Sequence, residues 1–346
     1  MTCAAPTPLP QSAAMSGPEA DAGDEFALIA RLFAPLAPHP AARGLKDDAA
    51  LWEVTGPTVM TCDAIVEGVH FLADDPIETI AQKALRVNMS DLAGKAAYPQ
   101  GALLSLIWPR TRPTTDIARF AAGLQNDLAA FGFGLIGGDM TATPGPLTIS
   151  VMAFGGLAGD RCPARSDAKP DEDVWVSGAI GDAALGLKLR LGMAHNLARD
   201  DADRMIDRYR VPQPRLQLAP LVSRLAGASM DVSDGLIADA RKMGFASGAL
   251  LRLQPHAVPR SEPARRAVDA GLVTLAALLT GGDDYELLFT AAPQHRQVIE
   301  TEAARIGVPL TRIGRVEEGS GVAAVLPDGR DLGLEAGGFV HRIGAG

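Results

Sequence analysis

Six short stretches place carboxylates where apolar segments begin or end. They are Lys46-Asp47-Asp48 before Ala49-Ala50-Leu51, Thr61-Cys62-Asp63, Asn88-Met89-Ser90-Asp91, Gly137-Gly138-Asp139, Asp231-Val232-Ser233-Asp234-Gly235 and Gly281-Gly282-Asp283-Asp284-Tyr285-Glu286. Any one such aspartate is ordinarily a helix N-cap or a turn residue. Together, converging on one cleft, they suit hard cations: Mg²⁺ takes one or two carboxylates per ion and completes its shell with phosphate oxygens and water. Without cations the same cluster would repel a polyphosphate such as ATP, so the pattern reads as a site where divalent ions hold phosphate. Paired glycines before Asp139 and Asp283 let backbone approach phosphate closely, and turn formation explains them equally well.

The chain that must position these groups has 346 residues, a length that predicts two domains. Apolar residues make up 47% and charged residues 21%, which excludes global disorder and fibrous repeats. Its net charge of −9 argues against nucleic-acid binding through a basic surface. Cys3, Cys62 and Cys162 lie far apart with no CxxC pair, so a zinc knuckle or disulfide framework is unsupported and a reducing cytoplasm fits best. The longest apolar run, around residues 270–279, is shorter than the roughly 20 residues a bilayer crossing needs, so no membrane span is expected. Lys and Arg are absent before Arg31, which disfavours a secretory signal, and residues 1–23 read as a flexible leader rich in Ala, Pro, Ser and Gly.

Order is expected from Asp24, a candidate N-cap for a helix starting at Glu25. Helical patterns over 78–92 and 115–131 alternate with apolar runs at 58–61, 103–107 and 148–154, an α+β reading for the first half. The polar, Gly- and Pro-containing stretch at 155–173 suggests a boundary, giving expected domains 24–155 and 156–346. Strands at 174–177, 230–232, 250–253, 286–290 and 322–326, with helices at 183–191, 216–225, 237–245 and 296–306, make the second half α/β. Gly132-Phe133-Gly134-Leu135-Ile136-Gly137 matches GxGxxG, but it follows a helix and leads into a strand, the reverse of the dinucleotide fingerprint. The strand, glycine turn and helix from Val174 through Gly178 and Gly181 to Ala183 can bind an anion or serve close packing. P-loop, HExxH and GxSxG motifs are absent.

Residues 24–341 also carry a resemblance. It rests on Asp47-Asp48-Ala49-Ala50-Leu51, Asp63-Ala64-Ile65-Val66-Glu67-Gly68-Val69-His70-Phe71, Lys83-Ala84-Leu85 with Val87-Asn88-Met89-Ser90-Asp91-Leu92-Ala93, Leu135-Ile136-Gly137-Gly138-Asp139, residues 231–236 and residues 281–287. In this order and spacing the sequence resembles the thiamine-monophosphate kinases of the aminoimidazole-ribonucleotide-synthetase-like superfamily; VEGVHF and GGxDYEL are the most family-specific stretches. The resemblance implies a two-domain fold, with an N-terminal α+β domain that dimerises and a C-terminal α/β domain that closes over ATP, hence a homodimer. It implies Mg²⁺-dependent, in-line transfer of the ATP γ-phosphoryl group to thiamine monophosphate, giving thiamine diphosphate and ADP. The acceptor is a phosphate with a second pKa of about 6, mostly dianionic at neutral pH, so no general base or other catalytic side chain is required.

Carried over by motif position, Asp48, Asp63, Asp91, Asp139, Asp231 and Asp234 would hold several Mg²⁺ ions, with Thr61 and the Cys62 position adding oxygen ligands. Gly138, Asp139, Ser233 and Arg165 would contact ATP, Arg161 being the residue confusable with Arg165. His70, Asp283 and Phe339 would contact the acceptor. Several positions depart from the family pattern: Lys46 stands for Gly, Cys62 for Thr, Met140 for Thr and Asp283 for Glu, while Gly94-Lys95-Ala96 stands for Ala-Met-Gly. A thiolate is a poor Mg²⁺ ligand, so contact at Cys62 should use its backbone carbonyl. The competing readings are another ATP-using enzyme of the superfamily and a non-catalytic divalent-cation or nucleotide-binding protein.

Overall fold

The computed structural model describes residues 24–334; the leader expected at 1–23 and the Phe339 position lie outside the described residues. Asp24 caps the short helix α1 (Glu25–Leu28) by accepting the Ala27 N–H at 3.3 Å. Strands β1 (Thr58–Val66), β2 (Ala97–Pro109), β3 (Gly134–Thr143) and β4 (Thr148–Leu157) form one sheet in the order β1-β4-β2-β3. Helices α2 (Ile77–Gly94) and α3 (Thr115–Phe131) are the two long periodic segments; α3 buries one apolar stripe, whereas α2 is buried around most of its circumference, Lys83, Asn88 and Ser90 included. Gly132 ends α3 in the left-handed region with φ 76°, its N–H donating to the Leu128 carbonyl, so the first glycine of the GxGxxG match is a helix C-cap.

The second sheet orders β10-β7-β9-β5-β8-β6. Its strands are β5 (Asp173–Ser177), β6 (Ser229–Val232), β7 (Ala249–Leu253), β8 (Glu286–Ala291), β9 (Leu310–Glu318) and β10 (Gly321–Ala324). The β10–β7 pair is parallel and the other pairings are antiparallel. Between the strands lie α4 (Asp182–Arg190), α5 (Arg199–Arg210), α6 (Ala219–Leu225), α7 (Leu236–Ser247), α8 (Glu262–Asp269), α9 (Leu275–Leu279) and α10 (Arg296–Ile306). Helix α2 touches strands of both sheets. One apolar cluster therefore runs from Ile80, Leu85 and Met89 through Leu218 and Val222 to Leu287 and Phe289. Among the described residues no helix is long and apolar enough to cross a membrane.

Several expected bounds need correction: the strand expected at 103–107 spans Ala97–Pro109, and the one expected at 322–326 ends at Ala324. The strand expected at 58–61 continues to Val66 because the ladder to β4 persists through Ile65 and Ile149, so Asp63 lies inside a strand rather than at its end. The strand expected to stop at 154 runs to Leu157, paired with Ala97.

Candidate functional site

Side chains along a strand alternate between its faces. In β1 this sends Thr61 and Asp63 one way and Cys62 the other. The Thr61 hydroxyl donates to the Asp91 carboxylate of α2. The Asp63 N–H donates at 3.1 Å to Asn88 Oδ1, and Asn88 is itself anchored through Nδ2 to the Ala84 carbonyl at 3.0 Å. Buried Asp231 comes from β6, and Ser233 and Asp234 from the turn that follows it. That turn is held by Asp239 of α7, whose Oδ2 accepts the N–H groups of Ser233 and Asp234, both at 2.9 Å. Lys242, one helical turn on, bridges the Asp234 and Asp239 carboxylates.

These carboxylates feel one another. Partial removal from water, then the charges of Asp91 and Asp234, push Asp63 up to about 6. Burial raises Asp91 despite the Thr61 hydroxyl and the cations Lys95 and Arg165. Asp231 is driven well above the carboxylate range, first by burial and next by Asp91. Asp63, Asp91, Asp231 and Asp234 are thus one linked acidic cluster. Arg165 acts on Asp91, whereas Arg161 is engaged elsewhere, donating to the Ala226 carbonyl at 3.1 Å. Lys95 hydrogen-bonds the carbonyls of Ser229 at 2.5 Å and Pro163 at 3.3 Å.

Beside this cluster lies a cavity of about 530 Å³ whose lining includes Asp63, His70, Ser233, Asp234, Gly282 and Asp283. His70 Nδ1 accepts the Val66 N–H at 3.0 Å. Asp283 takes the left-handed φ of 72°, and its N–H donates to the Ser233 carbonyl at 2.8 Å. A second cavity, of about 630 Å³, is lined by Asp48, Cys62, Gly138, Asp139 and Trp52 among others and shares no lining residue with the first. The structure therefore gathers Asp63, Asp91, Asp231, Asp234, Ser233, His70 and Asp283 with Thr61, and sets Asp48, Cys62, Gly138 and Asp139 apart from them.

The donor set suits a hard divalent ion, being all oxygen and mutually repulsive. Among the described residues no three His, Cys, Asp or Glu side chains converge closely enough to hold an ion by themselves. Phosphate oxygens and water would complete any shell here.

Sequence reading missed Lys83, Asn88, Asp239 and Lys242. The Asp239–Lys242 spacing and a lysine on the apolar stripe of α2 were the available signals. At the turn after β5, where the sequence leaves both anion binding and close packing open, Asp284 Oδ2 accepts the Gly181 N–H at 2.8 Å.

The sequence pattern described as AIR synthase related protein, N-terminal domain, matches residues 46–157. The thiamine-monophosphate kinase of Caulobacter vibrioides is 39% identical over 336 residues, covering 94% of this chain and 93% of that protein. That of Escherichia coli K12 is 34% identical over 324 residues, covering 92% and 98%. The crystal structure of the Stenotrophomonas maltophilia K279a thiamine-monophosphate kinase aligns with a TM-score of 0.74 at 35% identity, covering 82% of this chain and 90% of that one. The structure of AaThiL complexed with AMPPCP and TMP aligns at 0.71 with 31% identity, covering 80% and 85%.

Proposed function

The chain belongs to the thiamine-monophosphate kinase family, and from that premise we propose that it moves the γ-phosphoryl group of ATP onto thiamine monophosphate with Mg²⁺ bound by its clustered aspartates. The observation that carries this is the linked cluster of Asp63, Asp91, Asp231 and Asp234 beside a cavity that His70 and Asp283 face. The AMPPCP and TMP bound by the AaThiL neighbour support the same pair of substrates.

Asp63, Asp91, Asp231 and Asp234, with the Thr61 hydroxyl, would hold Mg²⁺, and Asp48, Asp139 and the Cys62 carbonyl would serve further ions from the other cavity. Bound Mg²⁺ supplies the positive charge that lets two phosphate-bearing substrates lie side by side. The remaining work is alignment. A dianionic acceptor phosphate needs no proton removed, so none of these side chains is assigned as a base. Because Nδ1 of His70 accepts the Val66 N–H, the neutral ring carries its proton on Nε2 and can donate from that atom to the acceptor. Arg165 adds a planar fork for ATP phosphate oxygens next to Asp91, with Gly138 and Ser233 as the further ATP contacts. Strand β1 is a sheet edge that leaves Met60 63% exposed, a feature that favours pairing with a second copy in a homodimer.

Product analysis tests the reading. Mg²⁺-dependent ADP release should rise with thiamine monophosphate and be matched by thiamine diphosphate. ATP turnover indifferent to that acceptor would overturn it.

A further inference from the structure

Lys83 is a lysine in a place where lysines are rare. It sits on the inward face of α2 between buried Ile80 and Val87 and is 1% exposed, the one fully buried cation among the described residues. Burying an ammonium is strongly unfavourable unless partners replace its water. The partners come from three separate segments. Lys83 Nζ donates to the His70 carbonyl at 2.8 Å, on the turn after β1. It lies 3.2 Å from Asp283 Oδ2, on the loop before β8. It sits 4.1 Å from the ring centroid of Tyr209, at the end of α5. The Tyr209 hydroxyl donates to the same His70 carbonyl at 3.4 Å.

Two of these partners, His70 and Asp283, line the 530 Å³ cavity, and Lys83 does not. The ammonium therefore stands behind the cavity wall, where it ties together two groups that do face the cavity, one from each sheet's loops. We propose that Lys83 is a positioning residue for the acceptor: it sets the span between His70 and Asp283 across the cavity. The inference rests on the kinase reading for the identity of the acceptor. The Asp283 backbone is left-handed, a region aspartate visits more readily than most side chains, and its N–H to the Ser233 carbonyl holds it there; Lys83 fixes its carboxylate. With Lys83 gone, the Asp283 carboxylate loses its counter-charge and the His70 turn its donor.

The test compares wild type with Lys83→Met, which keeps the length and suits an apolar helix face, Asp283→Asn, and the double variant. In Lys83→Met the KM for thiamine monophosphate should rise about 10-fold or more while kcat and the KM for ATP stay within about 3-fold, the pattern of lost acceptor alignment. The double variant should fall short of the sum of the two single effects, since both changes remove the Lys83–Asp283 contact while only Lys83→Met also removes the donor to the His70 carbonyl. A readout that needs no acceptor separates this proposal from the kinase reading: the ¹⁵N imidazole resonances of His70 should shift in ligand-free Lys83→Met. Unmoved His70 resonances, or kcat and both KM values deteriorating in step with a lowered melting midpoint, would overturn the positioning role. Wild type that makes no thiamine diphosphate, with His70 still shifted in the variant, would overturn the kinase reading alone.

Discussion

The Asp284 carboxylate closes the N-terminus of α4, accepting the Gly181 N–H at 2.8 Å and the Ala183 N–H at 3.4 Å. Its neighbour Asp283 turns instead toward Lys83 and the cavity. Adjacent aspartates thus divide into one that holds the fold and one that faces the cavity. Burial pushes Asp284 well above the usual carboxylate range, while the Gly181 N–H pulls the other way, and both of its oxygens accept N–H groups at the helix end. Asp284→Asn keeps one of the two acceptor oxygens and should lose less stability than Asp284→Ala, which leaves both N–H groups unpaired and should lose about 1–3 kcal/mol. Urea denaturation measures both, and equal losses would contradict the argument.

The acidic cluster stores repulsion in the metal-free chain. Asp91 raises both Asp63 and Asp231, so deleting its charge should relieve them. Asp91→Asn is expected to raise the melting midpoint of EDTA-treated protein by roughly 2 °C, equivalent to about 1 kcal/mol. If Asp91 holds Mg²⁺ as proposed, the same change should slow turnover on the order of 100-fold. A variant that is both less stable without metal and fully active would remove Asp91 from the site.

Acidity should have a definite sign here. Asp63 ionises at about 6 in the folded chain against an ordinary 3.8, so between those values the folded state binds more proton than the unfolded state. Its contribution is then most favourable below the ordinary value and is lost as pH rises through about 6. Asp91 and Asp231, also raised, act in the same direction. Without metal, the midpoint difference between Asp63→Asn and wild type should widen from pH 4 to pH 7. Saturating Mg²⁺ should stabilise wild type more at pH 7 than at pH 5, because the ion competes with protons for the same oxygens. A difference that stays flat with pH would count against the cluster.

The elements that were legible in the sequence are those whose burial follows a single period. Helices α3 and α10 fall where their apolar spacing places them, and α2 extends its expected range by one or two residues at each end. Strand β9 escaped because Arg312, Arg315 and Glu317 interrupt it with charge, although Ile313 and Val316 are fully buried between its neighbours β5 and β7. Helix α5 escaped for a similar reason: its polar sequence buries only Ala202, Met205 and Tyr209. At the site, the carboxylate types could be read directly. Their grouping could not, since Cys62 and Asp63 are chain neighbours on opposite faces of one strand. Lys83 was visible only as an anomaly on an apolar stripe, because its partners arrive from loops far apart in the chain.

Glycine 138 admits a test that separates ligand approach from strand packing. The pairing of β3 with β2 slips by one residue, Ala102 facing Leu135 and Leu103 facing Gly137, so Ile136 forms a bulge just before the paired glycines. A Cβ at Gly138 would stand 2.0 Å from the Leu104 carbonyl oxygen, a backbone atom that cannot swing aside. One at Gly137 would meet the Leu103 Cδ2 methyl at 2.8 Å, the mobile end of a side chain. The glycine at 138 is therefore required by the sheet before any phosphate arrives. Gly138→Ala should destabilise the protein by about 1–3 kcal/mol, with Gly137→Ala clearly milder. Because Asp139 follows directly and lines the second cavity, Gly138→Ala should also weaken ATP binding, measured by calorimetry on protein that remains folded. Intact stability with weakened ATP binding would instead assign this glycine to the nucleotide alone.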